Sequence, residues 1–246
     1  MHKLEKLFRK KNIAIITCYD ATFASYLSNT NCDALLVGDS LGILVKGESS
    51  TRKVTLSEVI YHTRAVRKGA RQVPIISDMP INTHGNKKIA LKNAKLLIEA
   101  GADIVKIEGH DTVFEIIKHL TRNKIPVCGH IGYMPQINTK LKTKNHDLIK
   151  KAKNLEQAGV KMLILSMTKP SEDKLITQNL KIPTISFRSS NFCNGKVEVL
   201  YELLGITKLS FSKDKNKAKK IKPRDIFYDL EKFIKEIHDR KSNEDN

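Results

Sequence analysis

The sequence has little cysteine and no long apolar run. Its four cysteines are widely spaced, without a Cys-x-x-Cys pair or a His/Cys cluster, which argues against a zinc site and against a disulfide framework. No apolar stretch approaches the roughly 18 residues of a membrane-spanning helix. The charged start MHKLEKLFRKK is unlike a secretory signal. These absences predict a cytoplasmic protein with reduced thiols and no membrane association.

Acidic residues are too few to balance the basic ones. The chain has 44 Lys and Arg against 26 Asp and Glu, a formal net charge of +18, which raises the question of a nucleic-acid partner. The basic residues are mostly lysines scattered along predicted helices, and they form no Arg-rich stripe with interleaved aromatics. A solvated basic surface is therefore favoured over nucleic-acid binding. The Lys-rich segment 212–224 and the tail 240–246 are expected to be exposed, and the tail to be mobile.

Short apolar runs of strand length alternate with helical stretches along the chain. The runs are continuous, which is typical of strands buried on both faces of a parallel sheet. The predicted strands are 12–18, 33–38, 73–77, 103–107, 125–129, 160–166, 182–187 and 206–211. Eight strand–helix units without a linker predict one α/β domain over residues 1–246, a (β/α)₈ TIM barrel. An open doubly wound sheet is the alternative, but its G-x-G-x-x-G fingerprint is absent.

The connecting stretches carry signals for helix ends. Thr55 and Glu58 have the spacing of a capping box at the start of a helix that runs through Val66. Helical periodicity over 87–100 and over 148–158 is followed in each case by a glycine, the residue that commonly ends a helix. These signals support the alternation of helices and strands.

Polar residues follow the predicted strands at the point where each strand ends. In a barrel of this type the chemistry lies at the carboxyl ends of the strands. The residues there are Tyr19, Asp20, Asp39, Ser40, Asp78, Lys106, Glu108, His130, Ser166, Ser186 and Arg188. Converging carboxylates repel one another unless a cation lies among them, and oxygen ligands suit Mg²⁺. The pattern predicts a metal site of Asp39, Asp78 and Glu108, although Asp39 could instead cap the next helix and Glu108 could pair with Lys106.

Two further side chains are candidates for the chemistry. Lys106 lies within a predicted strand, where an unpaired ammonium would be costly. Strand alternation puts it on the same face as Glu108, which is the barrel interior near its mouth. His130 follows a strand and could donate to an anionic substrate or accept a proton, but a structural histidine is an equally open interpretation.

The stretches that contain these residues resemble the ketopantoate hydroxymethyltransferase family. They follow the family order over about residues 10 to 136, and they read ITCYDATFA, LLVGDSLG, VTLSEVIYHTRAVRKGA, SDMP, NAKLLIEAGADIVKIEG and IPVCGHIGYMPQ. The resemblance implies a TIM barrel, a homo-oligomer that is commonly a decamer, and bound Mg²⁺. It also implies hydroxymethyl transfer from 5,10-methylenetetrahydrofolate to 3-methyl-2-oxobutanoate, in pantothenate biosynthesis, through a Mg²⁺-stabilised enolate.

The same resemblance implies roles for individual residues. Asp39 and Asp78 would ligate the metal, and Glu108 would be a further or outer ligand. The 2-oxo acid would contact Asp39, Ser40, Asp78 and Lys106. Lys106 and His130 would take part in catalysis.

Beyond residue 136 the sequence departs from the family pattern. The Glu expected as general base, in a segment resembling LVLECVP, is replaced by Ser166 in LILSMTKP. The Gly-rich segments resembling GGYKVQG and IPVIGIG are replaced by INTKLKTKNHD and IPTISFRSSNF. Loss of a positioned base typically costs about 10²- to 10⁴-fold in rate. Three interpretations stay open: a slow enzyme of this family, another Mg²⁺-dependent 2-oxo-acid lyase or mutase on a related barrel, and a degenerate non-catalytic homologue.

Overall fold

The computed structural model describes residues 3–109, 113–136, 139–140 and 145–207. The chain divides into two compact units, residues 1–199 and 200–246. Helix α9 (Leu200–Leu203) is the element described in the second unit. The predicted Lys-rich segment and the predicted mobile tail lie outside the described residues, so the single-domain organisation over residues 1–246 stays a prediction.

Eight parallel strands of the first unit close into a barrel, which confirms the predicted (β/α)₈ fold. Strand β1 pairs with β2 on one side and with β9 on the other, and β4 pairs with β5, so the sheet has no free edge among the parallel strands. The barrel strands are β1 (Ile13–Thr17), β2 (Ala34–Val37), β3 (Ile75–Asp78), β4 (Ile104–Glu108), β5 (Val127–Met134), β7 (Met162–Ser166), β8 (Thr184–Phe187) and β9 (Gly195–Glu198). The two-residue strand β6 (Thr139–Lys140) pairs antiparallel with the end of β5.

The closing strand of the barrel corrects the sequence prediction. It was expected at 206–211, but β9 closes the barrel by pairing with both β8 and β1. The described residues of the predicted segment, Ile206 and Thr207, lie outside any strand. Strand β9 reads GKVE, and Val197 alone among its residues is buried, so it has no continuous apolar run.

The helices begin and end largely where the sequence signals predict. They are α1 (Lys3–Arg9), α2 (Ala21–Ser28), α3 (Leu41–Leu44), α4 (Leu56–Gly69), α5 (Lys87–Glu99), α6 (Phe114–Arg122), α7 (Asn145–Gln157) and α8 (Pro170–Asn179). The Thr55 backbone N–H donates to Glu58 Oε2 at 2.8 Å, and Glu58 N–H donates to Thr55 Oγ1 at 3.3 Å, which confirms the capping box. None of the helices in the described ranges is long and apolar enough to cross a bilayer.

The barrel interior is filled by apolar side chains from every parallel strand, here called the interior layer, and β1, β2 and β7 contribute two each. Its members include Ile15, Leu36, Ile76, Ile104, Cys128, Ile164, Ile185 and Val197. Leu4, Leu7 and Phe8 of α1 pack against this layer and cover the amino-terminal end of the barrel. Burial of these side chains stabilises the barrel by about 25 cal/mol per Å² of apolar surface removed from water. The polar interior positions therefore lie at the opposite, carboxyl-terminal end.

Candidate active site

Strand register brings the predicted polar residues together at the carboxyl-terminal end of the barrel. Asp78 of β3 pairs with Lys106 of β4, and Glu108 pairs with His130 of β5. Residues paired on parallel strands point to the same face of the sheet. Lys106 and Glu108 also follow Ile104 of the interior layer at intervals of two residues, so their side chains face into the barrel. The predicted juxtaposition is therefore present.

A buried ion pair lies at the centre of the site. The side chains of Asp78 and Lys106 are 1% and 5% exposed, and Lys106 Nζ donates to Asp78 Oδ1. The second oxygen, Asp78 Oδ2, accepts from the Asp39 backbone N–H at 2.8 Å. A Cβ at Gly38 would lie only 3.0 Å from Ser40 Oγ, so glycine leaves room for the Ser40 side chain in the turn after β2. The backbone hydrogen bond fixes Asp39 beside Asp78.

The charge on Lys106 is stabilised by three carboxylates. Burial alone would lower the pKa of its ammonium, but the charges of Asp78, Asp39 and Glu108 outweigh burial and hold the pKa above its ordinary value. Lys106 is therefore a cation at neutral pH.

The negative charges of Asp39 and Glu108 are less well compensated by their surroundings. Burial, reinforced by the neighbouring charge of Asp78, raises the pKa of Asp39 from 3.8 to about 7. Burial and the charge of Asp39 raise the pKa of Glu108 well above its ordinary value. Asp39 Oδ2 and Glu108 Oε1 are buried without a hydrogen-bond partner among the described residues. With all groups ionised, three carboxylates and one ammonium leave two uncompensated negative charges in the site.

His130 is a neutral imidazole with a defined tautomer. Burial and the nearby charge of Lys106 hold the pKa of His130 well below its ordinary value. Nε2–H donates to the Tyr133 carbonyl oxygen at 3.0 Å, because a carbonyl can only accept. Nδ1 therefore carries the lone pair. It lies 3.7 Å from Glu108 Oε1 and has no hydrogen-bond partner among the described residues.

Ser40, Tyr19 and Gln136 complete the polar lining. Ser40 Oγ and Tyr19 Oη are 2.7 Å apart, and Tyr19 Oη donates to Thr17 Oγ1 at 3.1 Å. Gln136 N–H donates to Glu108 Oε2 at 3.2 Å, and its side-chain amide donates to the Met79 carbonyl at 3.2 Å. No role was predicted from sequence for Tyr19 or Gln136. Tyr19 does follow the first apolar run directly, whereas Gln136 lies beyond a strand end and carries no such signal.

Ser166 lies at the end of β7, apart from the charged cluster. Its side chain is fully buried, and Oγ has no hydrogen-bond partner in the described part of the chain. It pairs in register with Gly132 of β5 and Phe187 of β8. A Cβ at Gly132, where φ is +99°, would lie 2.2 Å from the Ser166 carbonyl oxygen, so these strands approach closely. Within the described ranges, no hydrogen bond joins the Ser166 side chain to Asp39, Asp78, Lys106 or His130.

Lys106→Met is expected to destabilise the metal-free protein by about 3–5 kcal/mol at pH 8, because it leaves buried carboxylates without their cation. The loss should be smaller at pH 5, where Asp39 and Glu108, whose pKa values are raised, can take up protons. The free energy of unfolding of the variant and of the wild type, measured with urea at both pH values, tests this expectation.

The matched control is Lys196→Met on β9. Its ion pair with Glu198, at 2.7 Å, is between side chains that are 43% and 36% exposed, so the change should cost no more than about 1 kcal/mol at either pH. Equal stability of the Lys106→Met variant and the wild type at pH 8 would contradict this account of the charge cluster.

The fold and the site define a (β/α)₈-barrel enzyme with a buried acidic centre at the carboxyl ends of its strands. A sequence model of the ketopantoate hydroxymethyltransferase family matches residues 1–241, and the chain belongs to this family. The match extends through the C-terminal half, where the sequence departs from the quoted motifs.

Relatives in the family cover most of the chain. The 3-methyl-2-oxobutanoate hydroxymethyltransferase of Nitrosomonas eutropha is 42% identical over 215 residues, which is 83% of this chain and 80% of the relative. The enzyme of the same name from Wigglesworthia glossinidia brevipalpis is 42% identical over 232 residues, 89% of this chain and 87% of the relative. The predicted family and the predicted transferase class are thereby confirmed.

Solved structures share the fold at much lower sequence identity. 2,3-Dimethylmalate lyase, a member of the PEP mutase/isocitrate lyase superfamily, has a TM-score of 0.66 and 15% identity over 83% of this chain and 80% of its own. Phosphoenolpyruvate phosphomutase from Streptomyces platensis subsp. rosaceus has a TM-score of 0.66 and 14% identity over 83% of this chain and 82% of its own. At such identity the likeness concerns the fold alone.

Proposed function

We propose that this chain transfers a hydroxymethyl group from 5,10-methylenetetrahydrofolate to 3-methyl-2-oxobutanoate, giving 2-dehydropantoate for pantothenate biosynthesis. In this reaction the C3–H bond of the oxo acid breaks and C3 bonds to the methylene carbon of the donor. Water supplies the hydroxyl group, and tetrahydrofolate leaves. Family membership supports the reaction class. The observation that carries the proposal is the buried cluster of Asp39, Asp78, Lys106 and Glu108, in which Asp39 Oδ2 and Glu108 Oε1 have no hydrogen-bond partner among the described residues.

The cluster fits a Mg²⁺ ion. Two negative charges are uncompensated when all its groups are ionised, and a divalent cation balances them. Among the described residues, no group of three His, Cys, Asp or Glu side chains is arranged so that it could hold a metal ion by itself. Mg²⁺ typically binds through one or two carboxylates and leaves its other positions to water and substrate oxygens. We assign Asp39 and Asp78 as its ligands and Glu108 as a further or outer ligand. When bound, the ion acts as a Lewis acid toward the oxo acid.

The other side chains orient the substrate and stabilise its charge. Lys106, fixed by Asp78, places an ammonium where negative charge develops on the oxo acid when C3 loses its proton. Ser40 donates to Tyr19 Oη, because the single hydroxyl hydrogen of Tyr19 goes to Thr17, and this bond orients the Ser40 side chain that we assign to contact with the oxo acid. His130 is anchored through Nε2–H and offers Nδ1 as an acceptor for a hydrogen bond or a proton. Burial of these groups excludes water, which strengthens each interaction.

Ser166 limits the rate in this proposal. A neutral hydroxyl cannot take a proton from carbon unaided, and Ser166 Oγ has no described partner that could act as its base. We therefore propose a functional but slow enzyme. A lyase or mutase activity has only the shared barrel in its favour. Assembly into a homo-oligomer, with a decamer as the form expected from the family resemblance, and a cytoplasmic location are further proposals.

Proton exchange and turnover, measured on one preparation, test the proposed function. The chain is incubated in ²H₂O with 3-methyl-2-oxobutanoate and Mg²⁺, and loss of the C3 proton is followed by NMR, with and without methylenetetrahydrofolate. We expect Mg²⁺-dependent exchange without the donor and 2-dehydropantoate with it. Cleavage of 2,3-dimethylmalate without folate would favour a lyase instead. Absence of exchange, turnover and oxo-acid binding would favour a non-catalytic homologue.

Asp39→Asn is expected to remove the part of the pH dependence of protein stability that comes from the buried Asp39 carboxyl. The pKa of Asp39 is about 7 in the folded chain against an ordinary value of 3.8. As the pH rises, the Asp39 carboxyl therefore loses its proton at a lower pH in the unfolded state than in the folded state. Stability of the metal-free protein should therefore fall as pH rises from about 4 to about 7, by about 1.4 kcal/mol for each unit of difference between the two pKa values. The Asn variant should be more stable than the wild type at pH 8 without metal.

The same variant should lose its response to Mg²⁺. A ligand that binds the folded state at 100 times its Kd stabilises by about 2.7 kcal/mol, which thermal unfolding at pH 8 would detect in the wild type. Asp33→Asn is the control, because Asp33 lies at the opposite end of the barrel, where it accepts from Ala14 N–H at 2.9 Å. Equal stabilisation of the wild type and the Asp39→Asn variant by Mg²⁺ would remove Asp39 from the metal site.

A further inference from the structure

Gln136 is a polar residue buried beside the charged cluster. It lies two residues beyond Met134, where β5 ends, and it is 3% exposed. Glutamine is mostly exposed in proteins, because its amide costs free energy when it is buried without hydrogen bonds. The groups to which Gln136 is hydrogen-bonded therefore indicate what this residue holds in place.

Gln136 connects the ends of two neighbouring strands. Its backbone N–H donates at 3.2 Å to Oε2 of Glu108, the last residue of β4. Its side-chain Nε2 donates at 3.2 Å to the carbonyl oxygen of Met79, which directly follows Asp78 at the end of β3. Because a carbonyl oxygen can only accept, the amide is oriented with its nitrogen toward Met79. One residue thus ties the Glu108 carboxylate to the strand end that carries Asp78.

The side-chain amide of Gln136 also acts on Asp39. Burial raises the pKa of the Asp39 carboxyl, and a hydrogen bond from the Gln136 side chain to the charged form acts in the opposite direction. The amide nitrogen has two hydrogens, of which Met79 accepts one and leaves the other for Asp39. Gln136 is therefore in contact with the surroundings of every carboxylate that we assign to the metal site.

The turn that carries Gln136 is anchored independently of this amide. His130 Nε2–H donates to the carbonyl oxygen of Tyr133 at 3.0 Å. Gly132 has a φ of +99°, a conformation that glycine adopts without the strain that a Cβ would cause. The backbone from Gly132 to Gln136 therefore bends across the barrel mouth in a fixed way, and it delivers the Gln136 amide to the ends of β3 and β4.

We propose that Gln136 is a positioning residue of the metal site, which holds Glu108 and the end of β3 in the arrangement that binds Mg²⁺. The inference rests on the proposed function, because it takes the charged cluster as the place of the ion. Glu108 Oε2 is occupied by the Gln136 N–H, whereas Oε1 has no hydrogen-bond partner among the described residues. The hydrogen bond thus orients the carboxylate and leaves one oxygen for the ion or for one of its waters.

Binding of Mn²⁺, followed by EPR in the absence of substrates, tests the proposal. Mn²⁺ takes carboxylate and water ligands as Mg²⁺ does, and the signal of the free ion decreases when the ion is bound. The variant is Gln136→Met, because methionine has nearly the length of glutamine, fills the buried space and lacks the N–H donors. We expect its Kd for Mn²⁺ to rise about 10- to 100-fold, the range typical of residues that hold metal ligands in place.

The response of turnover to Mg²⁺ provides a second readout. The Mg²⁺ concentration that gives the half-maximal rate should rise in Gln136→Met by a factor similar to that of the Kd for Mn²⁺. The kcat at saturating Mg²⁺ should fall less than about threefold, because the bound ion restores the arrangement of its ligands. A residue that supports only the fold would lower the stability of the metal-free protein and leave the Kd of the folded protein unchanged.

Gln72→Met is the matched control. Gln72 is exposed in the connection between α4 and β3, at the amino-terminal end of the barrel. The same change of side chain there should leave both the Kd for Mn²⁺ and turnover unchanged. Weaker Mn²⁺ binding by the Gln72 variant as well would show that the loss does not come from the position of Gln136, and it would overturn the proposal.

Metal binding separates this proposal from the proposed function, because it needs no turnover. If the wild type binds Mn²⁺ but forms no product, the proposed function fails, and weaker binding by Gln136→Met still supports the role of Gln136. Equal Kd values for the wild type and a folded Gln136→Met variant overturn that role whatever the activity. Absence of Mn²⁺ binding by the wild type overturns it too.

Discussion

Ser166→Glu is expected to raise the rate of C3 proton exchange of 3-methyl-2-oxobutanoate by about 10²- to 10⁴-fold, the range that a positioned general base contributes. Ser166 ends β7 at the barrel mouth, two residues beyond Ile164 of the interior layer, so its side chain faces inward. A carboxylate there would supply the base that the resemblance leads one to expect. Exchange is followed by NMR in ²H₂O with Mg²⁺, and turnover should rise in parallel if proton removal limits it.

The matched control for this prediction is Ser166→Gln. Glutamine has nearly the same size as glutamate but takes no proton, so it should give no gain in exchange. Both variants enlarge a fully buried side chain, and an overpacking cost of about 1–3 kcal/mol is expected in each. If both variants exchange the C3 proton at the wild-type rate while they still bind the oxo acid, the absence of a base at position 166 does not explain the slow exchange of the wild type.

Asp78→Asn is expected to lower turnover by at least about 10³-fold. Asp78 accepts from Lys106 through one oxygen and from the Asp39 backbone through the other, so a single change affects the proposed metal ligand, the cation and the turn that carries Asp39. Removal of one electrostatic group from a preorganised site typically costs about 10²- to 10³-fold, and Asp78 acts on three of them. Turnover is measured at saturating oxo acid and at several Mg²⁺ concentrations.

The control for Asp78 is its neighbour on β3. Ser77 faces away from the interior, and its hydroxyl lies 2.8 Å from Thr63 Oγ1 of α4. Ser77→Ala should lower stability by about 1 kcal/mol through the lost hydrogen bond, and it should leave turnover unchanged. A similar loss of turnover in both variants would show that disruption of β3, and not the carboxylate, is responsible.

The fold was predictable where its strands are continuously apolar. The runs that became β2 to β5, β7 and β8 are buried almost throughout, on both faces, and are recognisable for that reason, whereas β1 is continuously apolar although Ala14 is exposed. Strand β9 was missed because Lys196 and Glu198 alternate with a single buried valine. The position of β9 is determined by its pairing with β1 and β8. A local sequence pattern carries no information about such pairing.

The placement of the polar residues at one end of the barrel was predictable, but their hydrogen-bond and ion-pair partners were not. Asp20 and Asp39 both follow apolar runs, yet Asp20 caps α2 by accepting from Phe23 N–H at 2.9 Å, whereas Ser40, and not Asp39, is the N-cap residue of α3. The alternative in which Asp39 caps a helix is therefore wrong. Lys106 pairs with Asp78 on the neighbouring strand and not with Glu108. Such contacts depend on register between strands.

The contacts of the β8–β9 connection could not be predicted from sequence. Asp173 and Ser190 are far apart in the chain, and their interaction depends on where α8 packs. The segment IPTISFRSSNF shows only that the Gly-rich pattern is lost. The structure adds that a buried carboxylate holds the substituted connection in place, with Arg188 in a conformation that glycine adopts more readily.

Product formation by the purified chain tests the central claim most directly. The chain is incubated with 3-methyl-2-oxobutanoate, ¹³C-labelled 5,10-methylenetetrahydrofolate and Mg²⁺, and the label is followed by NMR. We predict slow, Mg²⁺-dependent transfer of the labelled carbon to C3 to give 2-dehydropantoate, and its loss in Asp78→Asn. Absence of labelled product from the wild type, at enzyme concentrations equal to the substrate and with both ligands bound, would contradict the account.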